Sequence, residues 1–172
     1  FHKARNKGFG ITIHAGEIKE EGVEAIWHAV DEMGADRIGH GCSAVQDKEL
    51  MRRLARDRIL VECCPSSNVQ TGAVRDLRTH PLKLYHDLGL RVTVNTDNRL
   101  ITNTTVSREL WLCHTEMGLD EQDIHRIIIN GFKAAFLPFH QKQTMVRSAS
   151  RELASEERAC AQPESRRVDA NA

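Results

Sequence analysis

At 172 residues, with 24 basic and 24 acidic side chains, the chain is long enough for one ordinary domain with a buried core and carries no charge bias. That balance argues against nucleic acid or a membrane surface as partner, and no uncharged apolar run is long enough to span a bilayer. Five cysteines, odd in number and without Cys-x-x-Cys spacing, argue against a disulfide framework or a structural zinc site and favour a reducing cytoplasm.

The chain opens on Phe1, inside what reads as the tail of a helix running to Lys7, as a processed or truncated product would. Gly10 to His14 follows as a short strand. Val23, Ile26, Trp27, Val30 and Met33 then recur at helical steps, with Gly34 placed to close the helix. Asp36 to His40 reads as the second strand, and Asp47 as the N-cap of a helix carrying Leu50, Met51 and Leu54. The third strand, Ile59 to Cys64, stops at Pro65-Ser66-Ser67-Asn68, a turn-rich cluster. Pro81 suits the first turn of a helix that Gly89 ends, with His80 as a helix-start residue, and Arg91 to Asn95 is the fourth strand. Helices are predicted over Val106 to Met117 and Glu121 to Phe136, the second capped by Asp120 and stopped by Pro138. Residues 141–172 form a charged tail with few large apolar residues, predicted to be disordered or a frayed solvated helix; residues 1–140 form the domain.

Strands separated by helices of this size read as parallel βα units. Only four are present, whereas a closed (β/α)8 barrel has eight strands and typically about 250 residues. An open sheet with helices on both faces is the alternative. The barrel is favoured because Thr12 and His14 share one strand face, as do Thr93, Asn95 and Asp97, with aliphatic residues opposite. The predicted fold is α/β, the C-terminal half of a TIM (β/α)8 barrel.

Three strands end in His14, His40 and Asp97, where parallel barrels carry their chemistry. His14 can bind zinc through a neutral nitrogen, Gly16 permits a tight turn after it, and Glu17 then lies near the metal as a general acid or base. His40 sits between two glycines that leave room beside its ring. A buried histidine bonded to a backbone carbonyl would look the same. Asp97 suits a metal ligand or a cap on the loop that follows. No phosphate loop or nucleophile elbow occurs, and the two tryptophans read as helix packing.

The segments His14-Ala15-Gly16-Glu17, Arg37-Ile38-Gly39-His40-Gly41, Cys64-Pro65-Ser66-Ser67-Asn68 and Asn95-Thr96-Asp97-Asn98, in this order and spacing, resemble the ordered motifs of the adenosine deaminase family over about Phe1 to Gln143. The resemblance implies a zinc-dependent barrel that hydrolyses the 6-amino group of adenosine, a small purine nucleoside, to give inosine and ammonia. It implies that His14 and Asp97 bind Zn2+, that Glu17 protonates the purine ring nitrogen beside the reacting carbon, and that His40 orients and deprotonates the zinc-bound water. Gly16 and Asn98 fall on substrate-binding positions; Asn98 stands where many members carry Asp, and an amide donates without needing protonation. The family's His-x-His pair on its first strand is not in this sequence, so the site is expected to need an N-terminal half-barrel and the chain alone to be inactive. A deaminase of adenine or another 6-aminopurine is the alternative within the enzyme class, and a non-catalytic, partner-binding half-barrel the alternative outside it.

Overall fold

Four short apolar segments pair in parallel as a single sheet in sequence order, with helices in every connection. A computed structural model describes residues 1–18 and 22–161. In chain order the elements are α1 (His2–Arg5), β1 (Thr12–Ala15), α2 (Gly22–Asp31), β2 (Arg37–His40), α3 (Lys48–Arg56), β3 (Leu60–Cys63), α4 (Pro65–Gln70), α5 (Leu82–Asp87), β4 (Val92–Val94), α6 (Arg99–Thr102), α7 (Val106–Met117), α8 (Glu121–Ala134) and α9 (Phe139–Ala161). Two compact units result, Phe1–Phe136 and Leu137–Ala172.

Register explains the two faces of the sheet. Ile13, Ile38, Val61 and Val92 align across the four strands, and the last three are fully buried with Ile26, Leu50, Leu54 and Leu82. Burying each such side chain contributes about 1.5–3 kcal/mol, and that helix-side layer holds the sheet. His14, Gly39, Glu62 and Thr93 align on the opposite face. Thr12 and His14 are exposed there, and the Thr12 hydroxyl donates to Glu62 Oε2 over 2.7 Å. Arg37 Nε lies 3.2 Å from Glu62 Oε1 without hydrogen-bond alignment, while its guanidinium stacks 3.7 Å over the Phe136 ring. This polar face is the one a barrel would turn inward.

The caps expected from the sequence are present. The Asp47 side chain accepts from Glu49 and Leu50 N–H, and Asp120 forms a capping box with Asp123. Asn130 of α8 donates to the Val92 carbonyl over 3.2 Å, supplying a partner for an acceptor on the β4 edge.

One sequence expectation changes and one narrows to the solvated-helix alternative. Pro65-Ser66-Ser67-Asn68 is the first turn of α4, with Pro65 at its start, where proline's missing N–H costs nothing. The charged tail is helical through residue 161: α9 is built of Arg, Glu, Ala and Gln, good helix formers, and none of its residues from 139 to 159 is buried. The predicted disorder beyond it concerns residues 162–172, which lie outside the described residues. Among the described residues no helix is long and apolar enough to cross a membrane.

Candidate active site at the strand ends

The C-terminal ends of β1, β2 and β4 bring Glu17, His40 and Asp97 together, one ligand atom from each lying within 4.8 Å of the others. Glu17 reaches this point because the chain turns sharply after β1. Gly16 has φ +71°, and a Cβ there would lie 2.5 Å from both Ile26 Cδ1 and Ser43 Oγ, so only glycine fits. His14 is exposed at the strand end, its ring edge-on to that of His40 with centroids 4.8 Å apart. Gly39 makes that contact possible, since a Cβ there would sit 2.8 Å from His14 Cδ2. The space beside that glycine is therefore filled by a second histidine.

His40 is 2% exposed and has φ +66°. Its left-handed backbone ends the strand, and the Tyr85 hydroxyl secures the turn by donating to the Gly41 carbonyl (2.9 Å) and accepting from Val45 N–H (2.8 Å). His40 Nε2 lies 3.4 Å from Glu17 Oε2, and Nδ1 lies 2.9 Å from Asn68 Nδ2. Burial lowers the His40 pKa, outweighing the Glu17 carboxylate, which works the other way. The result favours a neutral ring at physiological pH.

Asp97 also adopts positive φ, +53°, and accepts from the Ser67 hydroxyl over 2.7 Å at Oδ2. That hydrogen bond, followed by the pull of His40, holds its carboxyl below the usual range. The capping role on the following segment suggested for Asp97 falls instead to Asn98, whose Oδ1 accepts from Leu100 and Ile101 N–H at 3.1 and 3.2 Å. With its oxygen so occupied, Asn98 has its amide N–H groups left to offer a ligand.

α4 underlies the whole arrangement. Ser67 serves Asp97, Asn68 serves His40, and Ser66 N–H donates to Glu109 of α7, a carboxylate with no solvent exposure that also accepts from the Thr104 hydroxyl. In the sequence Ser67 and Asn68 read as turn formers within a motif of the family resemblance, with no partners assigned, and nothing singles out Glu109. His80, read as a helix-start residue, is buried with Nε2 3.1 Å from Asn68 Oδ1, and burial lowers its pKa to about 4.

A family model described as Adenosine deaminase matches residues 1–151. The chain belongs to the adenosine deaminase family. It is 41% identical over 145 residues to the adenosine deaminase of Escherichia coli O1:K1 / APEC, an alignment covering 84% of this chain and 43% of that relative. The enzyme of Escherichia coli strain SE11 is 40% identical over the same length. The chain thus spans less than half the length of these relatives.

Solved structures agree on the fold. An adenine deaminase from Arthrobacter aurescens superposes with a TM-score of 0.83 at 25% identity, covering 89% of this chain and 46% of that one. An amidohydrolase from Burkholderia ambifaria with bound Zn gives 0.83 at 25% identity over 92% of this chain and 44% of that one. The N6-methyl-AMP deaminase of Arabidopsis thaliana gives 0.76 at 26%, over 88% and 44%. Four βα units matching about half of such chains confirm the half-barrel expected from the sequence.

The donors fit a zinc ion by type, imidazole nitrogen and carboxylate oxygen being its usual ligands beside thiolate. The expected ligand pair was His14 and Asp97. The structure places Asp97 among the converging donors and His14 one ring away, against His40.

Proposed function

We propose that this chain supplies the acid–base half of a zinc-dependent site that hydrolyses adenosine to inosine and ammonia. The convergence of Glu17, His40 and Asp97 at three strand ends carries the reading. His14 and Asp97 would hold the metal, which when bound supplies a water of near-neutral pKa. Attack on an aromatic ring also requires that electrons be withdrawn from it. Glu17 meets that need by giving a proton to the ring nitrogen beside the reacting carbon, while His40 orients the attacking water and Asn98 donates its amide N–H to a second ring nitrogen. Gly16 makes the turn after β1 and presents its backbone to the purine.

Adenine or another 6-aminopurine is the second reading, favoured by the similarity to a protein described as an adenine deaminase. The sugar-discriminating contacts are assigned here to the other half of the barrel, which the relatives carry and this chain does not. That half completes the metal ligands, so the chain alone is inactive. We place the protein in the cytoplasm, in purine metabolism; the buried free thiols of Cys42, Cys63, Cys64 and Cys113 suit a reducing compartment.

The test joins this chain to the N-terminal half of the Escherichia coli relative and measures inosine and hypoxanthine formation from adenosine and adenine with zinc present. Inosine formation that Glu17→Gln abolishes supports the reading. A folded, zinc-loaded barrel that converts neither substrate returns the chain to the class of non-catalytic, partner-binding half-barrels.

A further inference from the structure

His80 and Asn68 form a buried hydrogen-bond relay that ends on His40, and backbone N–H groups fix its direction. Leu82 N–H can only donate, and it does so to His80 Nδ1 over 3.1 Å. His80 Nδ1 is therefore unprotonated, and the proton of the neutral ring sits on Nε2, 3.1 Å from Asn68 Oδ1. The low pKa of His80, about 4, agrees with a neutral ring. Cys64 N–H, another obligatory donor, points at the same Asn68 Oδ1 over 3.3 Å. Rotating the Asn68 amide by half a turn would set its NH2 group against both donors, so the orientation is determined by the network. The Asn68 amide nitrogen then donates to His40 Nδ1 over 2.9 Å. Asn68 has no exposed surface and His80 is 5% exposed, so water does not compete for these bonds.

We propose that His80, acting through Asn68, is a positioning residue that locks His40 as the Nε2–H tautomer, so that His40 meets the attacking water as a hydrogen-bond donor and not as the base. Neutral imidazole has one N–H. With Nδ1 obliged to accept, Nε2 carries the proton and has no lone pair with which to take another. Protonation of His40 at Nδ1 would also set an N–H against the Asn68 amide donor, so the relay opposes it. This refines the role implied by family resemblance, in which His40 deprotonates the water. With His40 unable to accept, the water's proton goes to the Asp97 carboxylate, which lies in the same cluster and accepts from Ser67 at Oδ2. The effect on turnover rests on the proposed reaction; the tautomer does not.

Histidine-selective ¹⁵N labelling of the chain, with long-range ¹H–¹⁵N spectra assigned by single-histidine variants, reads the tautomer directly. The expected spectrum shows His40 and His80 both with bare Nδ1 and protonated Nε2. A protonated Nδ1 on His40, or a signal averaged between tautomers, overturns the proposal whatever the turnover. Asn68→Asp supplies an isosteric variant that accepts where the amide donates, and it should convert His40 to a form protonated at Nδ1. In a barrel completed by the Escherichia coli half, that variant should lower kcat roughly 10²-fold with KM little changed. His80→Gln, which can still donate to Asn68, should retain most of the rate that His80→Leu loses. An Asn68→Asp protein with wild-type tautomer and kcat contradicts the relay. A wild-type barrel with the expected tautomer and no deamination overturns the reaction and leaves the relay standing.

Discussion

Two residues of the cluster adopt a backbone conformation that side chains other than glycine rarely accept: His40 at φ +66° and Asp97 at φ +53°. Left-handed backbone costs roughly 1–2 kcal/mol per residue, and here it falls where two side chains must be turned off the strand pleat toward one point. The role of each group separates by substitution in a completed barrel. Glu17→Gln keeps the shape but has no acidic proton, so turnover should fall roughly 10²–10⁴-fold while zinc content is unchanged. Metal analysis beside kinetics checks this, and near-normal turnover would remove Glu17 from the chemistry. Asp97→Ala removes a proposed metal ligand, so metal and activity should disappear together. Asn98→Asp should keep its zinc, because a carboxylate can still cap α6 through an oxygen. It must be protonated to donate to the purine, so its pH–rate profile should move to lower pH or its KM rise; loss of zinc would place residue 98 on the metal.

At the scale of elements, α4 is the part on which the cluster depends, and it is too short to be stable alone. Its start is held by Glu109, whose buried carboxylate accepts Ser66 N–H and the Thr104 hydroxyl at 2.9 and 2.6 Å. Glu109→Ala leaves Ser66 N–H without its acceptor and the Thr104 hydroxyl with only the Thr105 carbonyl at 3.5 Å, and should cost about 1–3 kcal/mol, read as a lower urea midpoint by circular dichroism. A midpoint equal to wild type would show that α4 is held by other contacts. The link from α4 to α5 gives a pH signature. His80 has a folded pKa of about 4 against an ordinary 6.5, so as pH falls through that window the unfolded ring takes up a proton that the folded ring refuses. Its contribution is complete above pH 6.5 and is lost toward pH 4, by about 3 kcal/mol at 1.36 kcal/mol per unit. The difference in unfolding free energy between wild type and His80→Gln should shrink over that range; a difference independent of pH would place His80 in contact with water. Such dependence also explains what the sequence could and could not reveal. Strand ends and the caps at Asp47 and Asp120 were legible because their partners are within a few residues. α4 was not, because Pro, Ser and Asn are turn formers by local preference and their helix is fixed by Glu109, 43 positions beyond Ser66. The Asn68–His40 contact spans 28 positions, and no local pattern marks it.

For the whole molecule, the parallel order β1-β2-β3-β4 leaves β1 and β4 as edges and puts His14, Glu17, His40 and Asp97 at one end of the sheet. Zinc sites use three or four protein ligands with well-placed geometry, and the proposed pair of His14 and Asp97 falls short of that number. The chain alone should bind zinc weakly and lose it to a chelator. Tight one-to-one binding abolished by His14→Ala would mean that Glu17 or His40 completes the shell within this chain. The central claim is that this half carries the proton chemistry and that the remaining ligands come from the other half of the barrel. It is tested most directly by following inosine formation from adenosine with zinc present, for the chain alone, for the Escherichia coli N-terminal half alone, and for the two combined. The account predicts turnover only in the combined sample, and none there when the chain carries Glu17→Gln. Turnover by this chain alone, or undiminished turnover with Glu17→Gln in a combined sample, would contradict it.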